Sequence, residues 1–123
     1  MFLTDIKHEA KENTNFRKVI YTGIHSQLVL MSLLPGEEIG AEVHENSDQI
    51  LFLVDGDEKV EVVVNDKPSW ADEHGVIFVP AGTNHNIINK GDDSLKLYTV
   101  YAPSVHKDGT INATKEDAMR GGD

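Results

Sequence analysis

The sequence contains no cysteine. That excludes a disulfide framework and any thiolate metal site. Basic residues are scarce: 11 Lys and Arg stand against 21 Asp and Glu, a formal net charge of −10. The few cations are scattered, and so acidic a chain repels the phosphate backbone whose neutralisation drives nucleic-acid binding. Nucleic acid is therefore not expected as a partner, and the acidity reads first as a solubility feature. Long apolar runs are missing too. None approaches the roughly 20 residues of a membrane span. The start, Met1-Phe2-Leu3-Thr4-Asp5-Ile6-Lys7-His8, has no basic region followed by an apolar stretch, so no signal peptide is expected and a cytoplasmic address fits.

What is present is a set of short β-branched runs separated by turn residues. Residues 16–22, 27–34, 39–44, 49–54, 59–64, 75–79, 84–89 and 95–102 read as strands. Breaks such as Pro35-Gly36, Asn46-Ser47-Asp48, Asn65-Asp66 and Pro80-Ala81-Gly82 separate them. Short strands with regular turn signals predict an all-β antiparallel sandwich or barrel. No long helical pattern intervenes to build a parallel sheet. A short helix is expected over 5–12, with Thr4 or Asp5 as N-cap and Asn13 as stop. Another starts at Thr114-Lys115-Glu116-Asp117, and 121–123 reads as disordered. Strands 27–34 and 50–54 are apolar at nearly every position, so both faces should be covered, inside the fold or by a partner subunit. We expect one domain over residues 1–123. The near-apolar strand 27–34 and the polar N-terminal segment before Phe16 predict a homodimer.

Strand parity gives the first chemical clue. Residues two apart point to one face, so Glu42 and His44 project together. The turn Pro80-Ala81-Gly82-Thr83-Asn84-His85 delivers His85 to the start of a strand, and Gln49 opens another. Four side chains able to bind a metal thus lie near strand ends, which in a closed barrel can converge on one interior point. The donors are imidazole and carboxylate, which suit Fe, Mn, Ni, Zn or Co. Two His with one carboxylate are the minimal set of a non-haem iron facial triad. The alternative is a metal-free interior in which Glu42, His44 and His85 hydrogen-bond to one another. That arrangement must still account for a buried carboxylate, which is costly unless paired or bound to a cation.

The spacing resembles the cupin superfamily. Its first motif runs Gly, five residues, His, one residue, His, three or four residues, Glu, six residues, Gly. Here Gly36, Glu42, His44, Gln49 and Gly56 fill that frame over 36–56. The second motif runs Gly, five residues, Pro, one residue, Gly, two residues, His, three residues, Asn. Here His74, Pro80, Gly82, His85 and Asn89 fill it over 74–89. The resemblance covers more than a third of the chain and is most specific at the Pro80–His85 turn. It implies a β jelly-roll barrel with short helical segments at both ends, and one divalent metal ion held by Glu42, His44, Gln49 and His85. Three positions depart from the pattern. Glu42 replaces the first His, Gln49 replaces the Glu, and His74 replaces a turn Gly, which Gly75 next to it should make tolerable. Three His and one Glu have become two His, one Glu and one Gln, still with one negative charge. The resemblance implies a metal-dependent enzyme acting on a small polar or anionic molecule. Its chemistry would be dioxygenase-like or of the mannose-6-phosphate isomerase type, where the same donor types serve zinc. A non-catalytic module that senses or sequesters a small molecule or metal is the competing class, because this fold hosts many functions.

Other residues carry weaker expectations. His25 and His8 read as exposed. His106 is a candidate lid over the pocket. Tyr98 and Tyr101 lie on opposite faces, so at most one lines the cavity. Met31, Leu33, Phe52 and Phe78 read as core, and Trp70 as packing over the barrel edge. There is no phosphate-cradling Gly-rich loop, nucleophile elbow or zinc-protease helix.

Overall fold

The computed structural model describes residues 1–56 and 59–121. The expected break at 55–57 and the expected disordered end at 121–123 lie partly outside them; Gly121 closes a helix. The chain begins with α1 (Ile6–Glu12), which the Asp5 carboxylate caps by accepting from the His8 N–H at 3.2 Å. Asn13 ends it. Nine strands follow among the described residues. They are β1 (Arg17–Thr22), β2 (Gln27–Leu33), β3 (Asp48–Asp55), β4 (Val60–Val64), β5 (Lys67–Ala71), β6 (Val76–Val79), β7 (His85–Asn89), β8 (Leu95–Ala102) and β9 (Ile111–Asn112). Helix α2 (Lys115–Gly121) closes the described chain. None of its helices is long and apolar enough to cross a membrane.

The strands form a six-stranded sheet ordered β6-β3-β8-β2-β1-β9 and a three-stranded sheet ordered β5-β4-β7. Every ladder is antiparallel. The expected closed barrel is instead two sheets face to face. At one corner the chain leaves the large sheet through Pro35-Gly36, where the Glu37 N–H closes a turn on the Leu34 carbonyl at 2.9 Å and the Gly36 N–H donates to the Asn89 carbonyl of β7 at 2.8 Å. Val29, Met31, Leu51, Leu53 and Leu97 of the large sheet meet Val60, Val62 and Ile87 of the small one in a single core.

Three strand readings changed, the smallest being β9, an unexpected two-residue strand that pairs with Arg17 and Lys18 of β1. Residues 39–44 form no named strand; the segment meets β7 through the isolated bridges Glu38↔Ile88 and Glu42↔His85 and through the Gly40 N–H, which donates to Asn86 Oδ1 at 2.9 Å. Glu42 lies four residues beyond Glu38, whereas His85 lies only three before Ile88. The extra residue is a bulge, and Gly40 between the bridges has φ +107, a left-handed value suited to glycine. β5 was not expected. It carries Lys67 and Pro68, it is exposed, and it forms the sheet's edge, where proline is tolerated. The turn before it uses Asn65 and Asp66 at φ 49 and 66, the hairpin geometry with both central residues left-handed.

The cover for β2 comes from the chain itself. α1 seats Ala10 against Leu30 and Val54, with Tyr98 alongside. Met31 and Leu33 are buried as expected, but Phe78 is 58% exposed and Val76 60%. Both alternate with inward Ile77 and Val79, so parity places them on the outer face. Phe52 also faces outward, stacked on Tyr98 with ring centroids 4.6 Å apart. Trp70 does not pack over the edge; it is 63% exposed on β5.

Candidate metal centre

The two sequence motifs meet through the backbone. Glu42 and His85 each donate their N–H to the other's carbonyl at 3.0 Å. They are therefore directly opposed residues whose side chains share a face. Gly82 donates its N–H to the His44 carbonyl at 2.9 Å, pinning the second turn to the first motif. Gly82 adopts φ +81 in this turn, where a side chain would be strained.

The bulge at Gly40 sets which face Glu42 presents. Ile39 is in the core, so unbroken alternation would send Ala41 and Val43 inward. The extra residue reverses the phase, turning Glu42 and His44 inward and leaving Val43 exposed. Gln49 approaches from the opposite sheet, on β3, with Tyr101 beside it in register. The interior thus receives Glu42, His44 and His85 from one side and Gln49 from the other.

One ligand atom from each of Glu42, His44 and His85 lies within 4.8 Å of the other two. His44 Nε2 is 3.1 Å from Glu42 Oε1, and His85 Nε2 is 3.7 Å from the same oxygen. Gln49 Oε1 is 2.9 Å from His85 Nε2. With metal–donor bonds of about 2.1 Å, adjacent donors stand about 3.0–3.4 Å apart in octahedral or tetrahedral arrangements. The observed spacings bracket that range.

The directions of the donors fit as well. Glu42 Oε1 and His44 Nε2 are both buried and neither makes a hydrogen bond, although they are 3.1 Å apart. Their lone-pair and N–H directions do not align on each other. The His85 ring faces the Thr83 carbonyl through Nδ1 at 3.0 Å. A carbonyl only accepts, so Nδ1 carries a proton and neutral His85 presents its Nε2 lone pair inward. That lone pair meets two oxygens, one from Gln49 and one from Glu42. A neutral imidazole cannot bond to either, whereas a proton on Nε2 or a metal ion at their shared point satisfies them.

The Gln49 amide is oriented by its neighbours. Its Nε2 donates to Thr99 Oγ1 at 3.2 Å and to the Tyr101 hydroxyl at 3.1 Å. Thr99 Oγ1 donates its own proton to the Ile50 carbonyl, so it can only accept from Gln49. The amide oxygen therefore faces the centre. Tyr101 is buried, its ring edge-on to His44 at 5.3 Å and to His106 at 5.1 Å. Burial pushes its hydroxyl pKa up, the Glu42 charge pushes the same way, and Arg17 opposes them.

Burial works to raise the Glu42 carboxyl pKa, but the two imidazoles beside it, His44 and His85, outweigh it and hold it at about 2, below the usual 4.5. Burial lowers His85, but Glu42 and the Thr83 carbonyl more than compensate and raise it above the usual 6.5. For the metal-free protein the two signs give a window. A depressed carboxyl contributes stability above pH 4.5 that is lost as pH falls toward its folded value. A raised imidazole contributes stability below pH 6.5 that is lost as pH rises through its folded value. The urea midpoint of metal-free protein should therefore peak between about pH 4.5 and 6.5. Glu42→Gln should flatten that profile; a variant with the parent's profile would contradict the coupling.

His25 and His8 are exposed, as expected. Tyr101 lines the interior while Tyr98 lies outside. His106 is buried against Tyr101, and its backbone N–H donates to Oε1 of Gln27, which pairs with Tyr101 from β2, at 3.0 Å. His74 adopts φ +71 itself, so the neighbouring glycine does not relieve it. Gly75 is required for space instead: a Cβ there would lie 2.9 Å from the Asp72 carbonyl. Arg17 was missed. It is only 5% exposed and sits on the inward face of β1 with Val19. A charged residue at an inward parity position was the signal available.

The model for the cupin domain matches residues 29–101. The protein YrkC of Bacillus subtilis is 42% identical over 123 residues, covering 96% of this chain and 66% of its own length. The chain thus spans slightly less than two thirds of that relative. The crystal structure of BH2720 from Bacillus halodurans superposes with a TM-score of 0.91 at 38% identity, covering 97% of this chain and 93% of that one. A predicted oxalate decarboxylase from Thermotoga maritima superposes with a TM-score of 0.59 at 26% identity, over 63% of this chain and 66% of that one. The family match spans more than half of the sequence and includes Glu42, His44, Gln49 and His85: this chain belongs to the cupin family.

Proposed function

We propose that Glu42, His44, Gln49 and His85 hold one divalent ion (Fe, Mn, Ni, Zn or Co) and that the protein is a metal-dependent enzyme acting on a small polar or anionic metabolite. The observation that carries this reading is the pair Glu42 Oε1 and His44 Nε2, buried 3.1 Å apart without a hydrogen bond. Leaving such groups unsatisfied is costly in a metal-free interior. The likeness to a predicted oxalate decarboxylase supports small-anion chemistry. When bound, the ion supplies a Lewis acid that polarises a ligand oxygen. The chain's own groups do the rest. Thr83 fixes the His85 ring through Nδ1, and Thr99 and Tyr101 hold the Gln49 oxygen inward.

Elemental analysis of purified protein, followed by turnover assays on the metal-loaded form with small carboxylates and sugar phosphates, tests the proposal. Stoichiometric metal with turnover supports the enzyme. Metal without turnover on any of them favours the competing sensing or sequestering module. Absence of metal uptake at any divalent ion tested removes both metal readings.

The protein is further proposed to be a homodimer of a single-domain chain. The support is no longer β2, which α1 covers, but the outer face bearing Val76 and Phe78. Burying such apolar surface in a two-fold interface is the commonest arrangement. Light scattering at micromolar concentration should give twice the chain mass, and Phe78→Asp should return it to the monomer. A parent protein with monomer mass would refute the assembly.

A further inference from the structure

The bulge at Gly40 decides which side chains the interior receives, and it is held from the far side of the sheet. Two backbone bonds frame it. Ile39 donates its N–H to the Ile87 carbonyl and Glu42 donates to the His85 carbonyl, both at 3.0 Å. The chain takes three steps between these bonds while β7 takes two. A regular ladder would pair Ala41 with His85 instead. Such a one-residue slip turns every following side chain to the opposite face. It would bury Ala41 and Val43 and expel Glu42 and His44. Apolar pattern alone favours that register, since Ala41 and Val43 are both exposed in the bulged one. Other groups must therefore hold the bulge.

Gly40 supplies the conformation, at φ +107. Asn86 supplies the bond. Its Oδ1 accepts the Gly40 N–H at 2.9 Å, and its Nδ2 donates to Glu38 Oε1 at 3.1 Å. The amide has one orientation here, because a backbone N–H only donates and an ionised carboxylate only accepts. Asn86 follows His85 along β7, so its side chain lies on the face opposite the imidazole. The strand's burial agrees: His85 and Ile87 are buried, and Asn86 between them is not. Glu38 bridges Ile88, which makes Asn86 its diagonal neighbour across the pair. We propose, resting on the metal reading of Glu42 and His44, that Asn86 is a positioning residue for the metal centre: its amide, braced by Glu38, holds the bulge in the phase that turns both ligands inward. Neither Asn86 nor Glu38 touches the ion; their effect passes through the backbone.

The test exchanges chemistry at constant shape. Asn86→Asp keeps an oxygen for the Gly40 N–H but sets a carboxylate against that of Glu38. Adding Glu38→Gln reverses donor and acceptor, so the new amide nitrogen donates to the new carboxylate, and the double variant keeps the parent's net charge. Zinc affinity by calorimetry and hydrogen exchange of the Gly40 amide by NMR are measured on the parent, Asn86→Ala, Asn86→Asp and the double variant. Asn86→Ala should weaken zinc about 10-fold or more, in the range lost with an outer partner of a ligand, and the Gly40 amide should exchange faster. Asn86→Asp should also weaken zinc, although attraction to an added negative charge alone would tighten it. The double variant should return both readings close to those of the parent. If Asn86→Ala does not fold, Asn86→Asp and the double variant decide. A parent that takes up no zinc would remove the metal reading. Gly40 exchange would then carry the test, and acceleration in Asn86→Ala with recovery in the double variant would support the hold on the bulge. Unchanged zinc affinity beside a lowered melting temperature would make Asn86 merely structural and overturn the proposal. So would Gly40 exchange that ignores the substitutions, or a double variant no better than Asn86→Asp.

Discussion

Replacing His85 with alanine is expected to cost the protein its divalent ion while leaving the sheets intact. His85 is 2% exposed, and its Nε2 faces both Glu42 Oε1 and Gln49 Oε1. It supplies one of only two imidazoles in the cluster. Removing even an outer partner of a metal ligand lowers affinity about 10–100-fold, so loss of the ligand itself should exceed about 100-fold. The fold should survive because the Glu42–His85 bridge is made by backbone groups that alanine also carries. The vacated space is lined by polar groups that water can serve. Metal content after dialysis, read by elemental mass spectrometry beside a circular dichroism spectrum, checks both halves. Equal metal in variant and parent would sink the assignment of His85 as a ligand.

The sequence made the strands legible where burial dictates them. β2, β3 and β8 carry apolar residues that serve the core, and their expected bounds nearly match. β5 was illegible because an exposed edge strand needs no apolar pattern, and Pro68 argues against one. The candidate site was legible for two separate reasons. The Pro80–His85 turn is a specific local motif, and Glu42 and His44 share parity. What parity could not tell is which way that pair faces. Counting from Ile39 gives the wrong answer, and only the bulge at Gly40 corrects it. Phe78 failed as a core residue for a related reason: pattern marks a residue as apolar without saying whether its face has a cover. The roles of Thr99 and Tyr101 were also out of reach. They act on Gln49 through cross-strand neighbours some fifty positions away, and no local spacing records such a contact.

Gln49 is where this chain departs furthest from the family pattern, and substitutions there should separate its roles. It is fully buried, with its amide nitrogen held by Thr99 and Tyr101. Gln49→Glu puts a second carboxylate beside His85 and near Glu42. Thr99 has already given its proton to the Ile50 carbonyl, so only the Tyr101 hydroxyl can donate to the new oxygen. Without metal, the uncompensated charge should destabilise the fold by about 3–5 kcal/mol, unless a proton neutralises it. With a divalent ion, two carboxylates make the site formally neutral. Cation binding should then tighten, the melting temperature should rise more on adding zinc than in the parent, and an anionic ligand should bind less well. Gln49→Leu removes the oxygen without adding charge. It should weaken the ion only modestly, about 10-fold, because Glu42, His44 and His85 remain. It should also cost about 1–3 kcal/mol, since Thr99 and Tyr101 lose their donor. Thermal denaturation with and without zinc, run on both variants, reads these terms together. If Gln49→Leu loses the ion as completely as His85→Ala, Gln49 is a strong ligand and the two-histidine, one-carboxylate triad is the wrong description. If neither variant changes the response to zinc, Gln49 does not touch the ion, and its burial serves only to orient Thr99, Tyr101 and His85.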